Sequence, residues 1–155
     1  GYLIADWEVL SRRLPYKTDA GSGSLEQMAL AEFCKENFNS HVKTLKIKLQ
    51  KKSEAICNAL DKYFGSSAEY KKPDGGIFVW VDMHKKVDTS RLYELALKDG
   101  VAINPGNEWS INKSGRHKMR LCFGNPSIKE IDEGIKLLAE ICRKEFGVPT
   151  KIANL

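Results

Sequence analysis

Apolar residues recur along this chain in helical stripes separated by short β-rich runs. Val42, Leu45, Leu49, Ile56, Ala59, Leu60 and Tyr63 fall at roughly helical spacing, which predicts a long amphipathic helix over 40–64 with Gly65 as its stop. Ile128, Ile131, Ile135, Leu138, Ile141 and Phe146 mark a second long helix. Ser127 and Glu130 stand before it at capping-box spacing. Ser24 and Gln27 have the same spacing ahead of Leu25, Met28, Ala29, Leu30, Ala31 and Phe33, so a separate helix is expected over 25–36. A short helix over 7–16 should end at Pro15. Another should start at Asp88-Thr89-Ser90, carry Leu92, Leu95, Ala96 and Leu97, and end at Gly100.

Strands are expected at Tyr2-Leu3-Ile4-Ala5 and over 68–71, 77–82, 101–103 and 118–123. The run Ile77-Phe78-Val79-Trp80-Val81 contains no polar residue and predicts a strand buried on both faces. It is entered through Lys72-Pro73-Asp74-Gly75-Gly76, a turn in which Pro73 fixes φ and the glycines admit unusual backbone angles. From residue 38 the order is helix, strand, strand, helix, strand, strand, helix. That order predicts an α+β fold, a small sheet of about four strands covered by two longer helices. Residues 148–155 read as a frayed tail. The opening strand has nothing before it to pair with, so further sequence upstream of Gly1 is expected.

Composition narrows the class. With 155 residues, 42% hydrophobic and 29% charged, the chain suits one globular domain, or one small domain with an appended piece of another, and neither a disordered tract nor a membrane protein. No apolar run approaches the roughly 20 residues of a membrane span. The four cysteines, at 34, 57, 122 and 142, form no C-x-x-C pair and have no His at metal-ligand spacing, so no metal site is expected. Cys34, Cys122 and Cys142 sit among apolar neighbours, which predicts buried free thiols in a reducing, cytoplasmic setting. The net charge of +5 gathers in Lys43, Lys46, Lys48, Lys51 and Lys52. Without interleaved aromatics that cluster reads as the solvated face of a helix rather than a nucleic-acid site.

Arg120 is the most informative single residue, because it interrupts the apolar strand Met119-Arg120-Leu121-Cys122-Phe123. A guanidinium in such surroundings needs an anion. Either an Asp or Glu of the chain provides it, or it arrives with a ligand, whose carboxylate the planar fork can grip bidentately. Gly75 and Gly76 likewise serve either a tight turn or the close approach of a ligand. No nucleophile elbow, P-loop or G-x-G-x-x-G run is present, and nothing marks Asp74 and Asp82 as an acid–base pair.

Together these stretches are recognisable. Pro73-x-Gly75-Gly76-x-Phe78-x-Trp80, then Gly100-Val101-x-x-x-Pro105-Gly106-x-x-Trp109, then Arg120-Leu121-x-Phe123 resembles the C-terminal part of fold type I, pyridoxal-phosphate-dependent class I aminotransferases. The 2-aminoadipate, kynurenine and branched-chain group is the nearest in appearance. Gly1-Tyr2-Leu3-Ile4-Ala5, Ser24-Leu25-x-Gln27-x-Ala29-Leu30-Ala31 and Asn39-Ser40-His41-Val42-x-x-Leu45 are similar to family segments too, so the resemblance covers essentially 1–147.

The resemblance implies a division into a remnant of the cofactor-binding large domain over 1–37 and the C-terminal small domain over 38–147. It implies that Arg120 binds the substrate α-carboxylate, with Gly75 and Gly76 at the substrate mouth. Asn104, Pro105, Gly106 and Trp109 would line the same side, and the loop 20–24 would reach toward a partner subunit's cofactor in a homodimer. Substrates would be an amino acid and a 2-oxo acid, and the cofactor pyridoxal 5'-phosphate. The family's Schiff-base lysine lies in a Ser-x-x-Lys motif upstream of Gly1, as do the phosphate-binding and ring-binding residues. The chain therefore carries no expected catalytic residue and should not transaminate alone. Two other functions fit the same residues, the ligand-sensing domain of a winged-helix, aminotransferase-like transcription regulator and a stand-alone α+β domain without catalysis.

Overall fold

The computed structural model describes residues 4–16, 21–110 and 114–151. Tyr2 and Leu3 of the expected opening strand and Ala20 of the 20–24 loop lie outside the described residues, and Ile4 and Ala5 have no regular structure. The chain divides into two compact units, Gly1–Val42 and Lys43–Leu155. In the first, α1 (Trp7–Arg13) runs into a single 3-10 turn, Leu14–Tyr16, which holds Pro15. No residue of α1 is buried, and Trp7, Leu25, Met28 and Leu30 are exposed.

Helix α2 (Ser24–Tyr63) begins in the first unit and ends in the second. It is one continuous helix of 40 residues, where two were expected. Asn37, Asn39 and Ser40 are weak helix formers, but no Gly or Pro stands among them to stop propagation. The helix absorbs their side chains: Asn37 Nδ2 donates to the Phe33 carbonyl at 3.1 Å and Ser40 Oγ to the Asn37 carbonyl at 3.0 Å. The expected box at its start is also different. Ser24 is already helical, and the Gln27 amide donates to the Ser22 carbonyl at 2.8 Å. The box at Ser127 does form: Ser127 Oγ accepts from the Glu130 N–H at 3.2 Å, and the Glu130 carboxylate accepts from the Ser127 N–H at 2.7 Å.

The second unit is α+β, as expected. Strands β1 (Ala68–Tyr70), β2 (Phe78–Met83), β3 (Asn104–Pro105) and β4 (Lys118–Cys122) form one antiparallel sheet in the order β1-β2-β4-β3. Between β2 and β3 lies α3 (Thr89–Lys98), capped by the Asp88 carboxylate, and α4 (Ile128–Phe146) follows β4. The strand expected over 101–103 is a connection instead. The Val101 N–H is taken by the Ala96 carbonyl at the end of α3, and pairing starts only at Asn104.

One face of the sheet is buried. Val79, Val81, Met119 and Leu121 join Ile56 and Leu60 of α2 and Ile131, Ile135 and Leu138 of α4 in a single core. The other face is open, which corrects the reading of β2 as buried on both sides: Phe78 and Trp80 are 38% and 40% exposed. The alternation of β4 puts Cys122 on that open face, where it is exposed, while Cys57 is buried on α2 and Cys34 is half-buried. The tail is docked through residue 151. Val148 is buried, Ser67 Oγ donates to the Pro149 carbonyl at 2.6 Å, and Lys151 Nζ donates to the Asp61 carbonyl at 3.2 Å. An apolar residue two places beyond the helix end gives the chain a reason to turn back onto α2.

Candidate functional site

Strict alternation in Lys118-Met119-Arg120-Leu121-Cys122 sends Met119 and Leu121 into the core and leaves Arg120 on the open face. Directly opposite Arg120 stand Trp80 on β2 and Asn104 on β3. Its Cζ lies 4.1 Å from the centroid of the Phe78 ring and 3.8 Å from that of Trp109. Both are cation–π contacts.

Trp109 is delivered by a 3-10 turn, Gly106–Trp109, and the turn is held by close backbone packing. A Cβ on Gly106 would lie 2.6 Å from the carbonyl oxygens of both Gly115 and Lys118, so only glycine fits. Ser110 Oγ closes the turn by donating to the Gly106 carbonyl at 3.0 Å.

No carboxylate among the described residues pairs with Arg120. Asp82 shares its sheet face, but Lys118 holds it at 3.0 Å and His117 at 3.4 Å. Arg120 Nε is buried without a hydrogen-bond partner. Aromatic rings steady a guanidinium but accept little along its in-plane N–H bonds, so its donors remain unmatched. Of the two sequence readings, the internal ion pair is not made within the described residues. The arrangement can take a planar anion such as a carboxylate, with Asn104 beside it as an additional amide.

Gly75 and Gly76 are placed differently. They line a cavity of about 560 Å³ with α2 and Phe123, on the helix-covered side of the sheet. Arg120 and Asn104 do not line it. The structure thus groups Arg120, Asn104 and Trp109 and adds Phe78 and Trp80, none of which lines the cavity that the two glycines line. The aromatic pair was missed because an unbroken apolar run hides alternation. The sign was there in size: the aromatics occupy one parity, Phe78 and Trp80, and the valines the other, Val79 and Val81.

The shifted thiols belong to the core. Burial pushes Cys142 up to about 12 and raises Cys57, so the protonated thiol is favoured at both. Among the described residues no cluster of His, Cys, Asp or Glu could hold a metal ion, and no helix is long and apolar enough to cross a membrane.

The family model for aminotransferase class I and II matches residues 1–138. The 2-aminoadipate transaminase of Thermus thermophilus is 29% identical over 88% of this chain, which spans 35% of that protein. An uncharacterized HTH-type transcriptional regulator of Bacillus subtilis, YisV, is 32% identical over 93% of this chain and 30% of its own length. The crystal structure of LysN, an α-aminoadipate aminotransferase from Thermus thermophilus complexed with N-(5'-phosphopyridoxyl)-L-leucine, superposes with a TM-score of 0.73 at 29% identity. That match covers 88% of this chain and 36% of LysN. The chain therefore spans about a third of the length of these relatives.

Proposed function

This chain belongs to the aminotransferase class I and II family, and from that premise we propose that it is the C-terminal part of a pyridoxal-phosphate-dependent aminotransferase, in which Arg120 grips the α-carboxylate of the substrate. The observation that carries this reading is an arginine on an open sheet face, held by Phe78 and Trp109 and matched by no carboxylate among the described residues. The rings fix the guanidinium before substrate arrives, so less freedom is lost on binding. Asn104, opposite it on β3, orients the same group.

Pyridoxal phosphate, when bound, supplies the electron sink through which an amino group passes from an amino acid to a 2-oxo acid. Its covalent anchor does not fit the described lysines. An anchoring amine must lose its proton, which calls for burial away from acceptors. Only Lys52 and Lys118 are even half-buried. Lys52 donates to the Gly124 and Asn125 carbonyls, and Lys118 is paired with Asp82. The reading therefore assigns the anchor to another part of the parent polypeptide and gives this chain no transamination alone. The parent acts as a homodimer in the cytoplasm, where its free thiols stay reduced.

The test is Arg120→Ala in the full-length parent. The Michaelis constant for the amino acid should rise at least about tenfold, because a charge-assisted bidentate contact is lost. An unchanged constant rejects the assignment.

The match to YisV favours a second reading, the ligand-sensing part of a transcription regulator. Purified parent protein separates the two. A regulator changes its DNA affinity when an amino acid binds and turns nothing over, whereas the enzyme transaminates and is indifferent to DNA.

A further inference from the structure

The cavity beside Gly75 and Gly76 contains groups that the fold itself does not use. Gly76 has φ +76, which explains why it is glycine. Gly75 has no such excuse. Its φ lies outside the left-handed region, and a Cβ there would meet nothing within 4 Å. Neither backbone strain nor crowding requires glycine, and the bare backbone stands open to close approach.

On the opposite wall, Ser53 of α2 is only 8% exposed, and its Oγ has no hydrogen-bond partner. An unmatched buried hydroxyl is costly, and a ligand oxygen would relieve it. Lys46 and Lys72 stand at the rim with no ion pair among the described residues. Glu54 keeps its charge while accepting from the Gln50 amide at 3.1 Å, so the lining holds two ammonium groups, Lys46 and Lys72, and two carboxylates, Glu54 and Asp74. The Ser53 hydroxyl and the two rim ammonium groups are the donors that an anion's oxygens would meet. Leu49, Pro73 and Phe123 supply apolar walls, and about 560 Å³ is within the usual range of ligand sites.

We propose that this cavity, on the side of the sheet away from Arg120, is a second binding site for a small organic carboxylate with a branched aliphatic body. The carboxylate sits between Lys46 and Lys72 and accepts from Ser53 Oγ, with the body against Leu49 and Phe123. The site includes neither Arg120 nor Asn104, the residues on which the aminotransferase reading above rests.

Two-dimensional ¹H–¹⁵N NMR on the whole chain tests this, with 4-methylpentanoate as probe and 4-methylpentylamine as its cationic counterpart. Arg120→Ala serves as the background, so that binding on the open face cannot contribute. The carboxylate should shift the amide signals of Ser53, Gly75 and Gly76 saturably, and the amine should not. Lys72→Glu should weaken binding by at least about tenfold, the scale of one charge-assisted contact. Ser53→Ala should weaken binding without lowering the melting temperature, because it removes an unmatched hydroxyl and adds a better helix former. No saturable shift, equal shifts from the amine, or loss of the shifts in the Arg120→Ala background would overturn the site. A lower melting temperature in Ser53→Ala would make Ser53 a structural group and remove it from the assignment.

Discussion

Arg120 is held in place without being neutralised, and that separates it from the other cations on its face. Lys118 spends its charge on Asp82 at 3.0 Å. Arg120 has rings instead, with Phe78 4.1 Å and Trp109 3.8 Å from Cζ. A ring contact of this kind at a half-exposed position is worth about 0.5–1 kcal/mol, enough to bias a rotamer but too little to compete with an arriving carboxylate. The guanidinium is therefore preorganised and still available. Trp109→Ala tests the stack in the free chain. The side-chain N–H and Cδ proton resonances of Arg120 should move downfield as the indole ring current is lost. Stability should fall by less than about 1 kcal/mol, because Trp109 is itself 54% exposed. Arg120 resonances that stay in place would mean that the stack is not populated in solution. The sequence made Arg120 visible because a charge among Met119, Leu121 and Phe123 breaks a pattern. It could not reveal what the charge touches, since Trp109 comes from a separate turn and Phe78 from a separate strand.

At the level of elements, the site depends on a short turn being pressed against β4. Gly106 and Gly115 meet backbone to backbone, and a Cβ on Gly106 would lie 2.6 Å from the Gly115 and Lys118 carbonyl oxygens. Carbonyls tied into a turn and a sheet cannot step aside as a flexible side chain could. Gly106→Ala should cost about 1–3 kcal/mol in urea unfolding and should release Trp109 from Arg120. Gly75→Ala is the control, with open space at its Cβ, and should change stability by no more than about 0.5 kcal/mol. Equal effects of the two substitutions would show that the 106–115 contact does not hold the turn. Elements with a strong local signature were legible in the sequence. The box at Ser127, the Asp88 cap and the stripes of α2 and α4 all rest on spacing alone. What was not legible was set partly within α2 itself and partly by tertiary structure. The Asn37 to Ser40 segment stays helical through side-chain hydrogen bonds to its own backbone. The tail stays down because Val148 finds an apolar site, and the open face of β2 exists because nothing among the described residues of the second unit covers it.

For the whole molecule, the core that joins α2, the sheet and α4 also decides how the chain responds to pH. Cys142 on α4 is fully buried, and loss of solvent pushes its thiol from an ordinary 9.0 up to about 12. Burial likewise raises Cys57 on α2. Tyr70 is raised as well, first by burial and then by its hydrogen bond to Asp61 at 2.8 Å. In all of these the protonated form belongs to the folded state. Above the unfolded value the unfolded chain releases protons that the folded chain keeps, so stability must fall as pH rises. The loss begins near pH 9 and for Cys142 continues to about 12, a span of three pH units, or on the order of 4 kcal/mol. Urea midpoints should therefore hold steady from neutral pH to about 9 and then drop. In Cys142→Ala the whole curve starts lower because packing is lost, but its alkaline slope should be shallower, since one proton no longer distinguishes folded from unfolded chain. Parallel curves for the two proteins would mean that Cys142 loses its proton at the same pH in the folded and the unfolded chain. The core around α4 would then open to solvent at alkaline pH before the sheet unfolds.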